Sequence, residues 1–529
     1  MSRETHFDAI VIGSGFGGSI TALKLARAGK SVAVLERGPR VTRDESAWDP
    51  KAILTDKKYA SRIGFEAPQF PTRRLMYPYS VVGGNSVLYG AASFRLREAD
   101  FERRSRFGDA NDPEHAYADW PMSYADLAPY YDEAEQLLGV VGEVGTDPTE
   151  PPRTTEYVGP PMPYGTPAKR LVAAAESLGL QPFPIPLAIN VHGQYGRARC
   201  IQCTTCDLFP CKIGAKNDLA VAVLPEAERL GAKVMASTVA KRLVRDGSRV
   251  CGVVITDAET GEERTLTCDI AVVSAGAIAS PKLLLASGLD NVGPNGALIG
   301  RYLMRHCSGI VIGLFPFTTN PEQRFHKQVA ITDFYFGNHG RNGGGPPGPW
   351  GMLQALQVPP PEYMLSDAPF PLNRVGAMTA KNHTYLLCIA EDAPQRPNRV
   401  ELHPTRRDEF GHPIANVLHR YAKRDLAGRR ALARSAARVL RRAGSWVRLR
   451  KPIYSFSHAV GTCRFGTHPE NAVLDPNCRM FGVDNLFVVD GSFMPTSGGL
   501  NPSLTIAANA LRVGDHLARD WSTFAGRFA

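Results

Sequence analysis

The amino-acid sequence predicts an α/β fold with two or more structural lobes. The chain has 529 residues, of which 43% are hydrophobic and 21% are charged, the composition of a globular protein too long for one small domain. Near its start, an apolar run typical of a buried parallel strand, residues 7–13, precedes a helical pattern and then a second strand pattern. No window approaches about 18 uninterrupted apolar residues, and the N-terminus lacks the pattern of a secretory signal. We therefore expect a cytoplasmic protein without a transmembrane segment.

The turn between the first strand and the first helix is rich in glycine. Gly13, Gly15 and Gly18 lie in the sequence GSGFGGS. Glycines at this spacing permit a tight turn, let the backbone approach a pyrophosphate, and let helix and strand pack closely. Glu36 ends the second strand and is placed to accept hydrogen bonds from an adenosine ribose. The pattern predicts a Rossmann-like dinucleotide site but does not by itself distinguish FAD from NAD.

Three later segments offer strand ends, glycine-rich turns and helix starts of the kind that line a cofactor crevice. The first is VGGNSVLYGA at residues 82–91. The second predicts a strand followed by a helix over 280–287, which Pro281 starts and Gly288 ends. The third is C-terminal and predicts a strand, a glycine-rich loop and a long helix beginning near Asn501.

These segments, in this order, resemble the glucose-methanol-choline (GMC) family of FAD-dependent alcohol oxidoreductases nearly from end to end. The resemblance also rests on WPMSYADLAPYY from Trp120 and on SHAVGT from Ser457. One departure is Asp290, which stands where the family usually has glycine. The resemblance implies a discontinuous, Rossmann-like FAD-binding domain and an α+β substrate domain built on an antiparallel sheet. We expect the FAD-binding domain to comprise 5–100, 215–310 and 455–529, and the substrate-binding domain with its cysteine loop to comprise 101–214 and 311–454.

The resemblance implies oxidation of an alcohol to a carbonyl, by proton abstraction and by hydride transfer to the flavin N5. It identifies His458 as the catalytic base and Asn501 as the second catalytic residue, which hydrogen-bonds the same substrate oxygen. Family members with covalent flavin carry histidine at the position that aligns with Leu88, so we expect noncovalent FAD. His306 falls near a histidine-bearing family segment, but we expect it to be a packing residue.

The same resemblance assigns a set of cofactor contacts that are spread over the whole chain. The residues expected to contact FAD are Gly13, Gly15, Gly18, Glu36, Gly83, Gly84, Asn85, Ser86, Val239, Asp490, Gly491, Asn501 and Thr505. Val239 is expected on the adenine side, Asp490 and Gly491 near the ribityl chain and pyrophosphate, and Thr505 on the isoalloxazine side.

The substrate predicted from the resemblance is a small-molecule alcohol, with oxygen or another electron acceptor reoxidising the flavin. The chain looks most like bacterial members that act on sugars, glycosides or aminoglycosides, and more distantly like pyranose oxidases. Two alternatives stay open: a dehydrogenase that passes electrons through a cysteine-bound iron–sulfur cluster to a partner, and a non-redox lyase of the same fold. The glycine-rich segment 340–351 is either a lid or a surface insertion.

Four of the ten cysteines crowd into twelve positions. They are Cys200, Cys203, Cys206 and Cys211. Their spacing is similar to a ferredoxin ligand run, although the last interval is one residue longer and no proline follows. An iron–sulfur cluster, a zinc ion, disulfides and free thiols are all compatible with this pattern.

The net charge of +10 is concentrated in one segment of the chain. Residues 421–451 contain eleven basic side chains and one acid, Asp425, a difference that equals the charge of the whole chain. Apolar residues recur through the run at helical spacing, namely Leu426, Ala433, Ala437 and Leu440. We therefore predict one surface helix with a basic face, on which an anionic membrane or partner is an alternative to plain solvation. Without nucleic-acid-binding motifs, the charge does not indicate DNA or RNA.

Overall fold

A computed structural model describes residues 5–70, 75–107, 116–337, 351–367 and 370–526. Most of the glycine-rich segment 340–351 lies outside these residues. The strands are β1 His6–Ile12, β2 Val32–Leu35, β3 Phe65–Glu66, β4 Leu75–Met76, β5 Val140–Val141, β6 Phe183–Pro184, β7 Leu187–Ala188, β8 Lys233–Met235, β9 Thr238–Asp246, β10 Arg249–Asp257, β11 Glu263–Val273, β12 Gly309–Leu314, β13 Val329–Ile331, β14 Gly351–Leu356, β15 His383–Ala390, β16 Arg399–Arg407, β17 Pro413–Leu418, β18 Val447–Pro452 and β19 Leu486–Val488. The helices are α1 Phe16–Arg27, α2 Glu98–Phe101, α3 Arg103–Phe107, α4 Tyr124–Leu137, α5 Thr166–Glu176, α6 Leu219–Ala222, α7 Leu224–Arg229, α8 Ala279–Ala286, α9 Pro361–Asp367, α10 Leu372–Met378, α11 Lys423–Arg442, α12 Ser503–Arg519 and α13 Trp521–Phe524.

The first sheet contains the strands that the glycine pattern predicts. Its order is β8-β2-β1-β11-β10-β9, and β19 also pairs with β11. The pairs among β8, β2, β1, β11 and β19 are parallel, whereas β9, β10 and β11 form an antiparallel meander. The apolar side chains of β1 and β2 are buried, as expected for strands covered on both faces. Helix α1 packs between this sheet and α12, so the first and last predicted helices lie side by side.

The second large sheet is entirely antiparallel. Its order is β18-β12-β15-β14-β13-β6. Helices α5 and α11 cover one face of it through a separate hydrophobic cluster. The α/β class and the antiparallel second sheet predicted from the sequence are therefore confirmed.

The prediction of one helix for the basic run is only half right. Helix α11 ends at Arg442, because Gly444 adopts a φ of +102° and the Ser445 amide donates to the Leu440 carbonyl oxygen, as at many helix C-termini. The chain then forms strand β18, which pairs with β12, so the last three basic residues lie on an edge strand. The buried stripe of α11 is also shifted from the predicted one, and comprises Ala431, Leu432, Ala436, Val439 and Leu440.

Within the described part of the chain, no helix combines the length and apolar character needed to cross a membrane.

Candidate active site

The glycine turn after β1 forms a cradle in which each glycine has a different reason to lack a side chain. A Cβ on Gly18 would overlap the carbonyl oxygen of Gly13, so this glycine lets α1 pack against the strand. Gly13 has a φ of +102°, which favours glycine. By contrast, a Cβ on Gly15 would meet no described protein atom within 4 Å. The turn is thus closed on the side of the sheet and open above Gly15, at the N-terminus of α1.

Glu36 organises the polar side of this cradle. Its Oε2 accepts a hydrogen bond from the Ser14 hydroxyl at 2.7 Å, and its Oε1 accepts one from the Gly38 amide at 3.0 Å. Ser14 in turn accepts a hydrogen bond from the Gly83 amide at 2.9 Å. The predicted carboxylate therefore links the first glycine turn to the second glycine loop, and its remaining lone pairs are available to a ribose.

The second glycine loop lies directly on the first. A Cβ on Gly84 would come within 2.8 Å of the Gly15 Cα, so the two backbones touch. The Ser86 hydroxyl is buried, donates to the Gly83 carbonyl oxygen at 2.6 Å and accepts from the Leu219 amide at 3.0 Å. Asn85 is exposed, and its amide has no hydrogen-bond partner within the described residues. Of the loop's polar side chains, Asn85 is the one free to bind a ligand.

The remaining predicted cofactor residues occupy the ends of neighbouring strands and helices. Val239 is buried on β9, next to Thr238, whose amide donates to the Glu36 carbonyl oxygen. The Asp490 carboxylate accepts from the Gly276 amide at 2.9 Å and so joins β19 to the turn before α8. The Thr505 hydroxyl on α12 is bonded to the Tyr131 hydroxyl at 2.7 Å. The structure gives Asp490 and Thr505 roles in the protein framework, and their contacts with FAD stay predictions.

Two histidine side chains meet where the loop after β18 crosses the segment before β12. His306 Nδ1 and His458 Nδ1 are 3.0 Å apart, and the rings are nearly perpendicular at 86°. Reciprocal backbone hydrogen bonds between Met304 and Val460 hold the two segments together. His306 Nε2 lies 2.9 Å from the Ser497 carbonyl oxygen. His306, expected from the sequence to be a packing residue, is thus a direct partner of the predicted base.

Burial keeps the imidazoles of His306 and His458 uncharged. The pKa of His458 lies well below its usual value because of burial, and because of the nearby His306 and Lys327. Burial also lowers the pKa of His306. Both imidazoles are therefore neutral at pH 7, which is the form that a general base needs.

Asn501 lies two residues before the start of α12 and faces the second sheet. Its Oδ1 accepts a hydrogen bond at 3.1 Å from Nε2 of Gln354, which lies on β14. Gln354 is fully buried, and its Oε1 has no hydrogen-bond partner within the described residues. The loop that carries Asn501 also contains Ser497, so one loop contacts both the histidine pair and the second sheet. No sequence signal predicted Gln354, because its partner lies 147 residues away.

The cysteine loop is anchored by one buried cation, Lys216. Lys216 Nζ donates to three carbonyl oxygens, those of Tyr89, Cys206 and Phe209, at 2.8–3.0 Å. The Leu208 amide donates to the Leu88 carbonyl oxygen at 2.9 Å, so the loop lies against the second glycine loop. All ten cysteines are free thiols. The described residues contain no group of three or more side chains placed to hold a metal, so the donor set for a cluster or zinc is not assembled.

Comparison with known proteins decides the family. A family model described as GMC oxidoreductase matches residues 7–308, more than half of the chain. A second model with the same description matches residues 394–510. The chain belongs to the GMC oxidoreductase family. This membership confirms the resemblance that the sequence predicted.

The relatives of this GMC oxidoreductase include two oxidases from Streptomyces. The chain is 34% identical to 6'''-hydroxyparomomycin C oxidase of Streptomyces lividus, over 98% of the chain and 93% of that protein. It is 33% identical to paromamine 6'-oxidase of Streptomyces fradiae, over 97% of the chain and 92% of that protein. The crystal structure of pyridoxine 4-oxidase from Mesorbium loti has a TM-score of 0.68 at 21% identity, covering 97% of this chain and 99% of that one. This last likeness shows the shared fold.

This GMC oxidoreductase is an FAD-dependent enzyme that oxidises CH–OH groups. The residues present fit the cofactor: the cradle is open above Gly15, Asn85 offers a free amide, and the Ser274 hydroxyl at the end of β11 is buried without a partner in the described residues. Neither alternative function, electron delivery through a cluster or a non-redox lyase, is supported.

The free thiols of this GMC oxidoreductase can be counted. We expect ten thiols per chain to react with a thiol reagent in denaturant without prior reduction, since all ten cysteines are free. The burial that raises the pKa of Cys200 to about 11 should make this thiol react slowly in the native protein. A count of eight or six in denaturant would show one or two disulfides and contradict the structure.

Proposed function

We propose that this enzyme oxidises a hydroxyl group of an aminoglycoside or a related sugar or glycoside. The observation that carries the proposal is that two relatives named as oxidases of paromomycin-type compounds align with nearly the whole chain at 34% and 33% identity. The second sheet supports Asn501 from below, since Gln354 is fully buried and its Nε2 donates to Asn501 Oδ1.

His458 is the proposed catalytic base. Its neutral imidazole would remove the proton from the oxygen of the substrate hydroxyl group. Bound FAD would supply the acceptor for the hydride that leaves the carbon bearing that hydroxyl group. Asn501 orients the substrate oxygen, while Gln354 fixes the amide of Asn501 by donating to its Oδ1. Because His458 is held by its contact with His306, its ring is pre-positioned before the substrate arrives.

The pH dependence of flavin reduction follows from the charge of His458. Because burial holds the pKa of His458 well below its usual value of about 6.5, the base stays deprotonated in mildly acid solution. The second-order rate constant for anaerobic flavin reduction should therefore be constant from about pH 8 down to about pH 6.5, and should fall only below that. A decline that is already half complete at about pH 7 would show a base with an ordinary or raised pKa.

The FAD is proposed to be noncovalent and to lie in the domain formed by 5–100, 215–310 and 455–529. Leu88 supports the first point, because a hydrocarbon side chain forms no bond to the flavin ring. The proposed cofactor contacts are the residues of the two glycine loops, Glu36, Val239, Asp490, Gly491, Asn501 and Thr505. Precipitation of the holoenzyme with acid should leave all yellow colour in the supernatant. A yellow pellet that survives washing would show covalent flavin.

A substrate panel tests the proposed function. Holoenzyme is mixed without oxygen with monosaccharides, methyl glycosides, simple primary alcohols and paromamine, and the loss of flavin absorbance is followed. We expect the aminoglycoside and glycosides to reduce the flavin fastest, with His458→Ala as the matched inactive control. Reduction by simple alcohols alone would contradict the proposed substrate class. Reoxidation in air, compared with reoxidation by an artificial acceptor, then separates an oxidase from a dehydrogenase.

A further inference from the structure

We propose that His306 is a positioning residue that sets the tautomer of His458, so that Nε2 of His458 is the unprotonated, reactive nitrogen. This proposal rests on the proposed function only in taking His458 as the base. The tautomer itself is a property of the holoenzyme without substrate.

The contact of His306 with Ser497 determines which nitrogen of His306 carries the hydrogen. Its Nε2 lies 2.9 Å from the carbonyl oxygen of Ser497. A carbonyl oxygen only accepts hydrogen bonds, so Nε2 of His306 must carry the hydrogen. The Ser497 carbonyl group is in turn fixed in place, since the hydroxyl of the same residue exchanges hydrogen bonds with the backbone of Asp392 at 3.0 and 3.1 Å.

The protonation of His306 Nδ1, the nitrogen that faces His458, follows from this. Because burial keeps both rings neutral, and because Nε2 of His306 is protonated, its Nδ1 has only a lone pair. The 3.0 Å contact between the two Nδ1 atoms therefore requires His458 to donate from Nδ1. A neutral His458 that is protonated on Nδ1 has its lone pair on Nε2. Two short contacts, ending at a backbone carbonyl, thus determine which nitrogen of the base is free.

The backbone holds His306 in this role. The residue has a φ of +63°, a region in which histidine and asparagine are more common than most other residues. The Tyr421 hydroxyl donates to the His306 carbonyl oxygen at 2.8 Å, and the adjacent strand pairing fixes Met304 to Val460. When His458 takes a proton on Nε2, its Nδ1–H group faces a neutral acceptor, and the hydrogen bond becomes charge-assisted. His306 would therefore also stabilise the protonated form of the base.

Two variants of His306 distinguish a role in setting the tautomer of His458 from a purely structural role. In His306→Asn, the amide oxygen replaces Nδ1 as an acceptor for His458 and the φ is tolerated, but the contact with Ser497 is lost. In His306→Gln, the longer amide keeps a donor for Ser497 but does not place an acceptor at the Nδ1 position. If His306 sets the tautomer, His306→Asn keeps most of the flavin-reduction rate and His306→Gln lowers it about 10- to 100-fold, with FAD content unchanged. A faster flavin reduction in His306→Gln than in His306→Asn would show a purely structural role and overturn the proposal.

The direct readout is the ¹⁵N NMR spectrum of holoenzyme labelled only in histidine. The His458 signals are identified by their loss in His458→Asn. We expect a protonated-type Nδ1 shift and an unprotonated-type Nε2 shift in the wild type and in His306→Asn, with the Nε2–H tautomer increasing in His306→Gln. A wild-type His458 protonated on Nε2 would overturn the proposal. Because this spectrum needs no substrate, it decides the tautomer even if His458→Ala keeps full activity and the proposed base is wrong.

Discussion

Replacing His458 with alanine should lower the rate constant of anaerobic flavin reduction by about 10²- to 10⁴-fold while the protein stays yellow. The imidazole is the neutral group at the proposed site that can remove a hydroxyl proton, and its partner His306 turns its own lone pair toward His458 rather than toward the substrate. Stopped-flow absorbance of the flavin, with the most reactive alcohol of the panel, measures the effect.

His468→Ala is the matched control for this substitution. His468 lies ten residues further along the same segment and is exposed, so the same chemical change there should leave the rate unchanged. The FAD content of both variants, measured after denaturation, should equal that of the wild type. A His458→Ala protein that reduces its flavin within tenfold of the wild-type rate would remove His458 from the role of base.

Gly15→Ala should weaken FAD binding by about 10- to 100-fold without destabilising the polypeptide. Gly15 has an extended backbone that alanine adopts freely, with a φ of −73° and a ψ of −169°, and a Cβ there meets no described protein atom within 4 Å. The added methyl group would instead project into the space above the N-terminus of α1, where a diphosphate is expected to bind. A forced overlap of this size costs about 1–3 kcal/mol. Titration of the apoprotein with FAD, followed by fluorescence, gives the affinity.

Gly18→Ala is the control that should affect the packing of the protein itself, in contrast to Gly15→Ala. A Cβ at Gly18 would overlap the Gly13 carbonyl oxygen, so this variant should lower the melting temperature of the apoprotein itself. The melting temperature of the Gly15→Ala apoprotein should match the wild type. Unchanged FAD affinity in Gly15→Ala would show that the cofactor does not pass over this turn.

The parts of the fold with local signals could be predicted from the sequence. The alternation of apolar strands, glycine turns and helices located β1, α8 and the start of α12 within one or two residues, and it placed α1 and β2 in the correct order, because turn and cap residues determine these boundaries locally. The basic run was predicted less well. Its charge pattern gave a helix correctly, but nothing local showed that residues after Gly444 would pair with β12, which precedes them by more than 130 residues.

The candidate site also contains residues with a local sequence signal and residues without one. His458, Asn501 and Glu36 could be proposed from the sequence because each lies in a recognisable motif. The roles of His306 and Gln354 depend on partners 152 and 147 residues away, which only the folded chain reveals. The cysteine cluster is a third case, because its spacing is compatible with an iron–sulfur cluster, zinc, disulfides or free thiols. In the structure its cysteines are free thiols and its loop is held by Lys216.

The most direct test of the account is anaerobic flavin reduction by an alcohol deuterated at the carbinol carbon. The holoenzyme is mixed in a stopped-flow instrument with the protiated and the deuterated form of the most reactive panel compound, and flavin absorbance is recorded. We predict that the flavin is bleached by both and more slowly by the deuterated form, because the carbinol C–H bond breaks as the flavin is reduced. Flavin absorbance that is unchanged by every alcohol of the panel would contradict the central claim.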